Sequence, residues 1–124
     1  MQYFAQGMTA FIITVMLKKH FARPRPDFKN KPLRIKNLRG KEIDCSWPSG
    51  DTAQGGIFAF FIILNMPYIV TMIPYGHWLM AIWTFHVAFA RVFFHCHYIG
   101  DTIGGVCIAG SAALLNTYIT RILV

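Results

Sequence analysis

Long apolar runs almost empty of charge govern what this chain can fold into. Residues 1–17, 52–73 and 102–120 contain no Asp, Glu, Lys or Arg, and 78–94 contain one, Arg91. Each run approaches the about 20 residues that cross a bilayer. None shows the polar stripe of an amphipathic helix lying on a soluble core. The expectation is an all-α integral membrane bundle of about four transmembrane helices, near 1–17, 51–72, 76–96 and 101–123, in a single domain 1–124. The apolar fraction of 55% exceeds the roughly 45–50% usual for soluble domains. A secretory leader would place its positive charge before the apolar run, whereas Lys18 and Lys19 come after it.

Charge is concentrated in one place. Ten of the twelve Lys and Arg lie between Lys18 and Lys41, so the net charge of +7 belongs to the loop 18–48. Positive loops stay on the cytoplasmic or matrix side, and that assigns the loop's face. Nucleic acid is a poor partner, because the loop is tethered to apolar segments and lacks interleaved stacking aromatics. Membrane lipids are the expected partners. The outer lysines and arginines, from Lys29 to Lys41, suit solvent or anionic headgroups.

Alternating crossings then fix which residues meet. The first helix ends at the basic loop and the second leaves it. The third returns to that face and the fourth leaves again. Lys18, Arg23, Arg25, the turn Pro48-Ser49-Gly50, Arg91, His95, His97 and Asp101 therefore share one end of the bundle. Small residues in the fourth run (Gly104, Gly105, Ala109, Gly110) permit close helix approach there. An arginine at the bilayer edge is costly and points to function. Several cations, the N–H groups of a helix N-terminus and a His beside an Asp compose a plausible phosphate site.

At these residues the chain resembles the type 2 phosphatidic acid phosphatases and the related vanadium-dependent haloperoxidases. The first family block is Lys, six residues, Arg-Pro, and here Lys18 precedes Arg25-Pro26 at that spacing. The second is Pro-Ser-Gly-His, and here it reads Pro48-Ser49-Gly50-Asp51. The third is Ser-Arg, five residues, His, three residues, Asp, and here it is Ala90-Arg91, His97 and Asp101. The resemblance covers residues 18–101 and implies a phosphatase working through a phosphohistidine. On that reading His97 attacks phosphorus and Asp101 orients it. Lys18, Arg25 and Arg91 hold phosphate oxygens, helped by Ser49 and Gly50, and no metal or other cofactor takes part. Relatives usually carry two more helices before the first block.

Asp51 stands where the family has the His that protonates the leaving group. One reading makes it the N-cap of the second helix, with Gln54 completing a capping box. The other makes it the acid, against a free carboxyl pKa of about 3.9 that neighbouring cations lower further. An impaired acid favours diphosphates, whose leaving group needs little protonation. A rival reading is a catalytically inactive structural subunit of a larger membrane complex that holds a lipid headgroup. His95-Cys96-His97, read as helical, spreads its side chains in different directions and is a poor metal site. The three cysteines have no framework spacing.

Overall fold

The computed structural model describes residues 1–26 and 44–123. Among the described residues five helices follow one another: α1 (Gln2–Phe21), α2 (Gly50–Asn65), α3 (Pro67–Met72), α4 (Gly76–Phe93) and α5 (Ile99–Leu123). No strand occurs among the described residues. The expected basic loop 18–48 lies mostly outside them. Its beginning continues α1 to Phe21, so that Lys18, Lys19 and His20 form that helix's last turn. Cations there complement the negative end of the helix dipole.

The expected second helix, 51–72, is two helices. Pro67 has no N–H to donate, and its ring would collide with the carbonyl four residues back. The break falls at Met66 (φ −131°), after which Pro67 sits at the start of α3. A sharp turn follows. Tyr75 adopts a left-handed backbone, and a Cβ on Gly76 would lie 2.1 Å from the Val70 carbonyl oxygen. Only glycine admits that approach.

α2 is the central element, packed against α1, α4 and α5, and α1 also touches α5. The contact between α2 and α5 is built from small residues. A Cβ on Gly105 would stand 2.6 Å from the Ser49 carbonyl oxygen, and one on Gly56 would stand 2.7 Å from Ala109 Cβ. The buried apolar cluster is mostly alanine: Ala10, Ala53, Ala109, Ala112 and Ala113, with Ile57 and Ile108. Buried alongside it are polar groups, among them Gln6, Thr14, Ser49, Thr52 and Thr117. The large apolar side chains face outward, including Phe4, Phe11, Trp78, Phe85, Leu114 and Ile122. Small and polar inside, large and apolar outside, reverses the arrangement of a water-soluble domain.

Of the described helices, α5 alone is long and apolar enough to cross a membrane by length and composition. Its 25 residues span about 38 Å at 1.5 Å per residue, against a hydrocarbon core of about 30 Å.

Candidate active site

Each part of the site has a local cause. Ala22, left-handed at φ 44°, caps α1, and beyond it Arg23 reaches Asp101 in the first turn of α5 while Arg25 reaches the turn before that helix. The segment from Asp44 returns to the same end, with Ser46 N–H donating to the Arg23 carbonyl at 2.7 Å. The Trp47–Pro48 bond is cis. The Ser49 hydroxyl then caps α2 by accepting from the Thr52 N–H at 3.3 Å.

This corrects the expectation that Asp51 is the N-cap: Asp51 lies in the first turn, and the Gln54 side chain donates to the Gly7 carbonyl of α1 instead. Ser49 is fully buried, and its hydroxyl also meets Thr52 Oγ1 at 2.9 Å. It therefore shapes the turn without presenting its side chain to the pocket.

α4 ends at Phe93, earlier than the expected residue 96, and α5 begins at Ile99. Between them the Arg91 carbonyl accepts from both the Cys96 and His97 N–H groups, at 3.0 and 3.1 Å, while His95 is left-handed at φ 56°. The run His95-Cys96-His97 is thus a tight turn rather than helix. It folds His97 back over the end of α4.

Lys18, Arg25, Gly50, Asp51, Arg91 and His97 line one cavity of about 360 Å3, walled on the α1 side by Phe11 and Val15. Every residue singled out as holding phosphate is here except Ser49. Arg25 Nη1 lies 3.2 Å from His97 Nε2 and donates to the Cys96 carbonyl at 2.8 Å. A guanidinium can only donate, so Nε2 carries the lone pair and Nδ1 the proton. Burial lowers the His97 pKa from 6.5 to about 4, and the charges of Arg25, Arg91 and Lys18 lower it too, against the opposing pull of Asp101. A neutral imidazole keeps on Nε2 the lone pair that a nucleophilic role would require.

Asp101 sits close to His97 but is engaged elsewhere. Its Oδ2 is 3.6 Å from His97 Nδ1, beyond hydrogen-bond range. Arg23 Nη1 donates to Oδ1 at 2.8 Å, and Tyr98 N–H donates to Oδ2 at 2.8 Å. The Ser46 hydroxyl donates to Oδ2 as well. The Arg23 guanidinium also lies 4.3 Å over the Tyr98 ring. Fully buried, Asp101 ties three chain segments together and places the His97 turn.

Two carboxylates enter the cavity. Asp51 Oδ2 stands 3.0 Å from Arg91 Nε. Asp44, to which sequence reasoning gave no role, bridges Lys18 and Arg25. Burial tends to raise the Asp44 pKa, but hydrogen bonds from Lys18 and Arg25 and their charges outweigh it, so the carboxyl is held below its usual range. Among the described residues no group of three or more His, Cys, Asp or Glu could hold a metal. A larger cavity of about 740 Å3 lies between α2, α4 and α5, almost wholly apolar, and shares no lining residue with the first.

As a class, this is an all-α bundle that brings cations and a neutral imidazole from separate segments into one cavity. The PAP2 superfamily model matches residues 1–123, and the chain belongs to that superfamily. Among solved structures it is similar to the first transmembrane PAP2-type phosphatidylglycerolphosphate phosphatase from Bacillus subtilis. The two share 21% identity at a TM-score of 0.75, over 98% of this chain and 59% of that one. The chain thus spans about three fifths of the length of that protein and has the fold of that part. No curated protein matches it by sequence.

Proposed function

We propose that the chain forms the catalytic part of a membrane-embedded phosphatase acting on lipid phosphates or diphosphates. The observation that carries this reading is the shared cavity of Lys18, Arg25, Arg91 and His97. Lys18, Arg25 and Arg91 hold the nonbridging oxygens and stabilise the charge that develops on them. The His97 Nε2 lone pair forms a bond to phosphorus as the bond to the leaving oxygen breaks. Water then attacks the phosphohistidine, releasing phosphate and a proton and regenerating the imidazole. Asp101 acts by fixing the turn that aims His97. The similar structure is of a phosphatase for a phosphorylated phospholipid, which supports a lipid phosphate as substrate.

The outward apolar side chains support embedding in a membrane. In this reading α1, α2 with α3, α4 and α5 make four crossings, and the site faces the cytoplasmic or matrix side by the charge of its loop.

Asp51 limits the chemistry. Its carboxylate is paired with Arg91 where the family places an imidazole. Losing general-acid help costs about 10²–10⁴ in rate, and less where the leaving group is itself phosphate. Turnover of diphosphates should exceed that of monoesters. The same pairing favours a second reading, a non-catalytic subunit that holds a lipid headgroup in a larger membrane complex. Phosphate release from both substrate classes by purified protein and by His97→Ala separates the two. Release that disappears with His97 supports the phosphatase. No release from either chain supports the subunit.

A further inference from the structure

Asp44 belongs to none of the three sequence blocks, yet its carboxylate lies between two of the cations. Lys18 Nζ donates to Oδ2 at 2.6 Å, and Arg25 Nη2 donates to Oδ1 at 2.5 Å. The backbone is held independently of that side chain. Arg25 Nε donates to the Asp44 carbonyl at 2.9 Å, and Lys18 Nζ donates to the Cys45 carbonyl at 2.5 Å. The Asp44 side chain is 56% exposed, so it can rotate into water while the chain on either side keeps its anchors. Two oxygens shared between a lysine and an arginine are also what a phosphoryl group would present to them.

We propose that Asp44 is a specificity-determining residue of this cavity. It is an internal competitor that a phosphoryl group with two or more negative charges displaces and that a singly charged phosphodiester does not. The inference rests on the reading of the cavity as a phosphate site. Lys18, Arg25 and Arg91 bring three positive charges, and Asp44 and Asp51 bring two negative ones. A phosphodiester offers Lys18 and Arg25 the same single charge as the carboxylate already there, and it gains nothing by replacing it. A terminal phosphate offers two charges and a third oxygen that can reach Arg91. Most phospholipid headgroups are phosphodiesters, present at high local concentration beside any site at a membrane surface. A carboxylate that outcompetes them keeps the cavity available for terminal phosphates.

The test is equilibrium binding to the purified chain in uncharged detergent micelles at fixed ionic strength, with inorganic phosphate and dimethyl phosphate as probes. Wild type should take phosphate and not dimethyl phosphate. Asp44→Asn should bind phosphate about tenfold or more tightly, as expected when a charge-assisted contact no longer competes, and should now take dimethyl phosphate. Asp44→Ala should move both probes in the same direction, and Arg91→Ala should abolish phosphate binding, placing it in this cavity. Phosphate affinity that is unchanged or weaker in both Asp44 variants would overturn the proposal and leave the phosphate site standing. So would equal binding of both probes by wild type. If no variant binds phosphate while each keeps native helix content, the phosphate site itself is refuted.

Discussion

His97 is where the opposing forces of the cavity meet. It is almost fully buried, three cations face it, and the Asp101 carboxylate beside it is paired with Arg23. Its folded pKa of about 4 lies below the free value of 6.5, so the unfolded chain binds the extra proton first as pH falls. Stability is therefore full above about pH 6.5 and declines as pH drops toward 4, by on the order of 3 kcal/mol. An NMR titration of the His97 ring should show it neutral at pH 5.5, and Arg25→Gln should raise its pKa. A midpoint near 6.5 in wild type would contradict this electrostatic account. Asp51→His should restore a proton donor and raise monoester turnover by about 10²–10⁴, measured as phosphate release; no gain would mean that the leaving-group side is not at residue 51. Lys18, Arg25, Arg91 and His97 were legible because fixed spacings and crossing parity bring them to one end. Arg23, Ser46 and Asp44 were not assigned these partnerships, because they act across separations of 78, 55 and 26 residues with no periodic signature. An acid inside the basic loop, just ahead of the Pro-Ser-Gly turn, was the available hint of Asp44.

Helices were readable from the runs without charge, but their ends were not. No charge interrupts the run at Asn65, Met66 and Pro67, and proline's missing donor divides α2 from α3. The end of α4 depends on the Arg91 carbonyl accepting two N–H groups, which no apolar pattern reveals. Close packing of α2 on α5 makes a sharper test at this scale. Gly105→Ala places a Cβ against the Ser49 backbone oxygen, where no side chain can yield, and should cost about 1–3 kcal/mol as overpacking does. It should also weaken phosphate binding, because Ser49 and Gly50 form the turn at the cavity. Gly110→Ala meets only the Phe60 ring, at 3.5 Å, and should stay within about 0.5 kcal/mol of wild type. Thermal unfolding of the two variants in detergent checks the contrast, and equal midpoints would contradict it.

Across the whole molecule, polar contacts inside the bundle set where α1 lies. Gln6 Nε2 donates to Thr117 Oγ1 at 3.3 Å, Asn116 Nδ2 donates to Thr9 Oγ1 at 3.2 Å, and Gln54 reaches the Gly7 carbonyl. Such bonds between membrane helices average about 0.6 kcal/mol each, and together they hold the helix that delivers Lys18. Which helix ends gather at one cavity could be read from the sequence, because alternation depends only on the order of the apolar runs. The interlock between α1 and α5 could not, since scattered Gln, Asn and Thr look alike whether they face a partner or a lipid. Everything converges on whether a phosphoryl group, seated among Lys18, Arg25 and Arg91, bonds to His97. The most direct measurement is a rapid acid-free quench of the purified protein with a phosphorus-labelled lipid diphosphate, followed by mass spectrometry of its peptides. An acid-labile phosphoryl group on His97, absent in His97→Ala, is the predicted result. Phosphate release that persists in His97→Ala, or turnover with the label on another residue, would contradict the account.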